Sequence, residues 1–373
     1  MAFNKKKTEE RKKWLNDFDQ NSEPLSSNIK KLSYQDFVDK ELVLFSIYDN
    51  QRSIPSICDG LKPSERKILY GCFKRNLKEE IKVAQLVGYI GEHSAYHHGE
   101  QSLSGTIVAM AQNFVGSNNI NLLLPIGQFG SRAMGGKDSA SARYIFTNLN
   151  KVTRQLFNVN DLPLMNYLIE EGQKIEPTWY LPIIPLVLVN GTEGIGTGWS
   201  TEIPCFNPHD IVNSIKNKIT KGKFTEIYPW YKGFTGTIEK KEDNSSFYVN
   251  GKYYWDENDI LHITEIPLQK WTKDYKNMLE EYMGYEIKKD SEHKQKGKKG
   301  NKKVKSSNND DNAKERKKKI VIVEDIRQNH SSNRIHFEVK LLPDFVEEYK
   351  SSHDKVIKTF KLQSSLSIRN MVL

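Results

Sequence analysis

Residues 61–77, LKPSERKILYGCFKRNL, hold the pattern on which the fold turns. Pro63 stands where a helix can begin, because the first helical residue has no use for its N–H. Behind it Ile68, Leu69, Cys72, Phe73 and Leu77 recur at helical spacing, while Arg66, Lys67, Lys74, Arg75 and Lys78 fall mainly on the opposite side. The stretch predicts a helix with one buried stripe and a basic outer face. Residues 100–114, EQSLSGTIVAMAQNF, repeat the pattern through Leu103, Ile107, Met110, Ala111 and Phe114. Gly99, in YHHGE, supplies an entry turn. Two such helices resemble a helix-turn-helix.

Beyond residue 150 the periodicity changes. PTWYLPIIPLVLVNG is apolar, reads as a strand and ends in the turn signal Asn190-Gly191. GFTGTIEK, SSFYVNGKYYWD and ILHITEIP read as antiparallel strands, with the two halves of SSFYVNGKYYWD joined at Asn250-Gly251. KIVIVEDIRQ, RIHFEVKLL and TFKLQSSLSI add more. The expected class is α+β, with residues 1–40 a polar connector that is helical around Lys5 to Phe18.

The 373 residues can hold two or three domains with their own cores. Hydrophobic content of 37% and charged content of 28% point to part of the chain being solvated. Residues 288–319 hold fourteen Lys/Arg against five Asp/Glu, which accounts for the whole net charge of +9. The remainder is neutral, so the charge describes one low-complexity insert, expected to be disordered, rather than a folded basic surface. Cys58, Cys72 and Cys205 are far apart, with neither a metal spacing nor a disulfide framework, which suits a reducing compartment. The longest apolar run, 180–189, is half a membrane span and is broken by Pro182 and Pro185, and the N-terminus lacks a secretory core. An intracellular, soluble protein is expected, with no membrane partner.

Four stretches can carry chemistry: RSIPSICDGLKPSERK (52–67), SAYHHGEQS (94–102), DSASARYIFTNL (138–149) and NGTEGIGTGW (190–199). The last looks like a dinucleotide loop, but Gly191, Gly194, Gly196 and Gly198 do not fit GxGxxG. In their order and spacing the four resemble the breakage–reunion region of type IIA DNA topoisomerases. GCFKRNLKEEIKVAQL, AQNFVGSNNINLLLP and VNGTEGIGTGWST resemble the eukaryotic topoisomerase II branch.

The resemblance implies a winged-helix domain over 45–181, after a connector over 1–44, and a strand-rich tower domain over 182–373 that contains the insert. It implies an ATP-dependent isomerase of the nucleus that acts on double-stranded DNA as a homodimer. Tyr144 would be the nucleophile that takes the 5′ end of a cut strand. A phenol, with a pKa of about 10, needs its proton removed or its anion stabilised to attack at neutral pH. Arg143 and Arg52 would hold the equatorial oxygens of the scissile phosphate, to which planar guanidinium groups are suited. His98 would take or relay the phenol proton. Lys62, Tyr96 and Ser102 match DNA-contacting positions, and Ile195 matches a wedge between base pairs.

The acidic motif that holds the family's Mg2+ and the domain that binds ATP do not occur in this sequence. The chain therefore reads as an internal segment of a longer protein, incompetent for cleavage by itself. The competing expectation is a paralogue that binds or bends DNA without cutting it. Tyr144, Arg143, Arg52 and His98 together favour the enzyme, since binding alone has no need of all four.

Overall fold

Helix Pro63–Lys74 forms where its stripe places it, and Ile68, Leu69 and Cys72 are buried. A computed structural model describes residues 3–4, 6–19, 25, 28–284, 321–331 and 334–373, so the basic insert 288–319 lies outside the described residues. The helix packs on Val83–His93 and Glu100–Ala111, and side chains from all three, Leu86, Ile90, Leu103 and Ile107 among them, share one core. Each such aliphatic side chain contributes about 1.5–3 kcal/mol on burial. The arrangement has three helices where the periodicity alone marks two. Val83–His93, with Val83, Leu86, Val87 and Ile90 buried, lies between them in sequence.

The third helix ends at Ala111, so Phe114 lies beyond it, half-buried. Asn118 stops the helix by donating its side-chain amide to the carbonyls of Ala109 (2.7 Å) and Gln112 (2.9 Å). The apolar spacing continues past that point, but the backbone partners have been taken.

The expected strand in PTWYLPIIPLVLVNG is overturned at its end: Leu186–Asn190 is a short helix whose N-cap is Pro185. Leu186, Val187 and Val189 are all buried, so no polar alternation marks the element as helix or strand. Gly191, at φ 63°, then turns the chain into a hairpin of Thr192–Gly196 against Trp199–Ile203. The glycine-rich stretch is thus mainly paired strand.

The described chain divides into two compact units. One comprises Met1–Gly251, Pro267–Gln269 and Gln363–Leu373; the other comprises Lys252–Ile266 and Lys270–Leu362. Besides the helical core, the first unit holds a three-stranded antiparallel sheet of Gln363–Ser367, Ser246–Asn250 and Thr237–Lys240, in that spatial order. Phe247, Val249 and Leu366 close a small core there with Tyr231 and Leu268. The second unit is a four-stranded antiparallel sheet in the order Val323–Gln328, Phe337–Leu341, Ile260–Glu265 and Lys252–Trp255. Leu261, Ile263, Phe337 and Val339 share its core with Tyr275 and Leu279 of helix Thr272–Tyr282.

Asn250-Gly251 does not close a hairpin. Ser246–Asn250 pairs within the first unit and Lys252–Trp255 within the second. Local turn chemistry cannot distinguish these cases, because both need a tight change of direction. The mixed α+β class holds. Among the described residues no helix is long and apolar enough to cross a membrane. Cys72 and Cys205 are buried and their thiols are pushed up to about 12 by burial, whereas Cys58 is exposed.

Candidate active site

The backbone around Tyr144 is fixed from below. Ile145 is buried in the core, and its carbonyl accepts from Val83 N–H at 3.0 Å. Ala84 N–H donates to Ala142 O at 3.1 Å, and Phe146–Thr147 pairs with Ile81–Lys82. With Ile145 anchored inward, Tyr144 is forced outward and is 72% exposed. The Arg143 guanidinium carbon lies 5.8 Å from the Tyr144 ring centroid. Among the described residues, neither Arg143 nor Arg52 spends its guanidinium on an ion pair or a hydrogen bond within the protein.

A groove of about 530 Å³ runs beside this segment. One wall is Ser139–Arg143; the other is the Glu100–Ala111 helix, through Gln101, Ser104, Gly105 and Val108. Small residues on both walls leave the backbone accessible. Gln112 donates to Phe129 O at 2.9 Å, and Ser131 donates through N–H (2.9 Å) and Oγ (2.6 Å) to Asp138. These bonds hold the loop before Tyr144 in place.

His98 stands just upstream of the same helix, separated by Gly99 at φ 84°. Its Nε2 is 2.5 Å from the Tyr48 hydroxyl, and the Tyr96 ring meets it edge-on at 5.5 Å. Burial, then the positive charges of Arg52, His97 and Lys67, hold its pKa below the ordinary imidazole value. At neutral pH the ring is therefore uncharged and able to accept a proton. Tyr96 donates to Ser102 Oγ at 3.1 Å. The structure brings Arg52, His98, Tyr96 and Ser102 into one neighbourhood, and the groove joins the helix that follows His98 to Arg143.

Lys62 has another partner: its Nζ donates to Glu193 O, and its backbone N–H donates to Glu65 at 2.8 Å. Lys62 thus ties the helix start to the hairpin of Ile195, which is 84% exposed on its strand and pairs with Ser200. A Cβ on Gly194 would come within 2.0 Å of Ser53 O, and one on Gly196 within 2.3 Å of Asn50 Oδ1. Only glycine lets this strand lie against helix Val43–Ser53, which carries Arg52.

Two contributors escape a reading of the sequence. Tyr48 shares a helix face with Arg52 at i, i+4, and that spacing is the only available signal. Asp59 is buried and receives Arg66 twice (2.8 and 3.0 Å), plus the N–H groups of Leu61 and Tyr180, both at 2.9 Å. A buried pair of this kind has no sequence signature.

Residues 52–373 match the family model of DNA gyrase/topoisomerase IV, and residues 1–50 match the C-terminal associated domain of TOPRIM. The chain belongs to the type IIA DNA topoisomerases. It is 49% identical to DNA topoisomerase 2 of Plasmodium falciparum over its whole length, spanning 24% of that relative. It is 45% identical to DNA topoisomerase 2 of Saccharomyces cerevisiae, also spanning 24% of it. Identity to DNA topoisomerase 2 of Arabidopsis thaliana is 56% over 75% of the chain and 19% of the relative. The crystal structure of the Plasmodium falciparum topoisomerase II DNA-binding, cleavage and re-ligation domain superposes with a TM-score of 0.82 at 48% identity, covering 100% of this chain and 46% of that one. The chain spans about a quarter of the length of these curated relatives.

Proposed function

We propose that the chain is the strand-cutting and resealing part of an ATP-dependent type II topoisomerase, with Tyr144 as nucleophile. The observation that carries this reading is an exposed tyrosine on a rigid base, at the edge of a groove walled by a helix, beside an arginine with no ion pair or hydrogen bond among the described residues. The reaction exchanges a phosphodiester for a phosphotyrosine ester: the Tyr144 oxygen bonds to phosphorus and the 3′-hydroxyl leaves. Resealing is the reverse, and the ester keeps the bond energy. Arg143 and Arg52 offer donors to the equatorial oxygens. His98, held neutral, takes the phenol proton and can return it.

Ser102 and Tyr96 contact the DNA backbone, as does Lys62 once it leaves Glu193. Ile195 enters the base stack. In domain terms, residues 45–181 act as the winged helix, 182–373 as the tower and 1–44 as the connector. The longer protein works on double-stranded DNA as a homodimer in the nucleus.

Magnesium and ATP belong to the longer protein. Among the described residues, the one set of three His, Cys, Asp or Glu groups close enough to share an ion is His262, His336 and Glu338, in the second unit. Among the described residues, those around Tyr144 do not fit a metal site. The test is an end-labelled duplex incubated with the longer protein and magnesium, then quenched in denaturant. Protein on 5′ ends supports the proposal; bound but intact DNA would leave a bending or binding protein.

A separate expectation concerns Ile195. An 84% exposed isoleucine on a paired strand has no packing role to lose, so Ile195→Ala should leave the fold intact. It should lower DNA bending, read as fluorescence transfer between the ends of a labelled duplex. Equal transfer in the two proteins would remove the wedge.

A further inference from the structure

The four-stranded sheet of the second unit carries a polar cluster on the face away from its core. Leu261 pairs with Val339 and Ile263 with Phe337, all four buried. Between them His262 pairs with Glu338, on the opposite face, and His336 lies two residues before Glu338. The nitrogens and carboxylate oxygen of His262, His336 and Glu338 lie within 4.8 Å of one another.

The protonation pattern follows from the partners. His262 Nε2 is 3.2 Å from Asp256 Oδ2. An ionised carboxylate only accepts, so that nitrogen carries the proton and Nδ1 presents its lone pair. His336 Nε2 faces this lone pair at 2.9 Å. The Tyr254 ring stacks on His262 at 4.7 Å and within 1° of parallel, which fixes the plane of the imidazole. His262 is itself largely buried, being 9% exposed. On its other side Glu338 accepts from Asn329 Nδ2 at 2.6 Å.

We propose that His262 Nδ1, His336 Nε2 and Glu338 bind a divalent transition-metal ion of the zinc class, with Asp256 orienting His262 through its far nitrogen. A carboxylate on the second nitrogen is the usual support of a metal-bound histidine. Tetrahedral zinc, with bonds of about 2.0–2.1 Å, needs ligand atoms about 3.3 Å apart, so small side-chain rotations suffice. The ion takes the place of the proton that His336 Nε2 directs at His262 Nδ1. That proton moves to His336 Nδ1 by way of solvent, and water completes the fourth position. Two imidazoles and one carboxylate select against magnesium, which prefers oxygen ligands. The site is therefore separate in chemistry from the cleavage reaction. Its effect is to join Ile260–Glu265 to the approach of Phe337–Leu341 through side chains as well as through the ladder.

The test uses the whole chain, stripped with chelator and titrated with zinc chloride by calorimetry, then with cobalt(II) by absorption. One tight equivalent is expected, with the intense visible bands of four-coordinate cobalt, and millimolar magnesium should not compete. His336→Gln and Glu338→Gln should each weaken that equivalent at least tenfold and abolish the bands. Both side chains lie on the partly exposed face, so the metal-free variants should melt with the metal-free wild type. Exposed groups elsewhere, such as Cys58 and His97, can bind zinc weakly, and these variants leave them intact. Unchanged stoichiometry, affinity and cobalt spectrum in both variants would overturn the proposal, as would a wild-type spectrum of six-coordinate cobalt.

Discussion

Tyr144→Phe is expected to abolish covalent capture of DNA while leaving binding close to wild type. The substitution removes one oxygen from a side chain that is already outside the core, and Ile145 continues to hold the backbone. The groove and its phosphate donors are untouched, so affinity should change little. Arg143→Ala should be different in kind. It keeps the nucleophile but removes a donor to the transition state, which costs about 3 kcal/mol, or roughly a hundredfold in cleavage rate. The readout is the fraction of end-labelled DNA carrying protein after denaturation, with binding measured in parallel. Covalent complex at the wild-type level from Tyr144→Phe would require another nucleophile.

The largest effect on stability is expected at Asp59. Asp59→Ala leaves the buried Arg66 without its counter-ion and strips the N–H groups of Leu61 and Tyr180 of their acceptor. Breaking a buried pair from one side costs about 3–5 kcal/mol. Urea unfolding of the chain should show a stability lower by that amount. Arg66 also donates to Leu61 O at 3.0 Å, so the loop between Arg52 and Lys62 should loosen even where the fold survives. A change under about 1 kcal/mol would mean the guanidinium finds other partners.

The periodic parts of the molecule are legible in the sequence. Ile68, Leu69 and Cys72 mark one helix face and Leu103, Ile107 and Met110 another, because each helix buries a single stripe. Val323–Gln328 and Gln363–Ser367 fall within stretches read as strands without alternating burial, whereas strand Phe337–Leu341 is legible through its alternating burial. Leu186–Asn190 is not, since an element buried all round has no pattern. Asn250-Gly251 misleads because a turn signal does not name the strands it joins. At the candidate site, the resemblance carried by the four short motifs is what implies roles for Tyr144, Arg143, Arg52, His98 and Ile195. The Tyr48–His98 contact, 50 positions apart in the chain, and the engagement of Lys62 by Glu193 come from tertiary packing.

The hairpin that carries Ile195 is braced on both edges. Gly194 and Gly196 press it against Ser53 and Asn50, and Thr197 Oγ1 donates to Asp49 at 2.8 Å. On the other edge Glu202 N–H donates to Asn370 O at 2.7 Å, and Asn370 Nδ2 donates to Ser200 Oγ at 2.9 Å. Such a mounting is stiff, so if Ile195 acts as the proposed wedge, the elastic strain is expected to be stored in the duplex and not in the protein. Bending a site costs DNA about 1–6 kcal/mol, depending on the stiffness of its steps. Pyrimidine–purine steps, which unstack easily, would then be cut in preference to rigid A-tracts without a single base edge being read. On that proposal the choice of cutting site would be a mechanical measurement, in which a fixed probe tests the compliance of the helix.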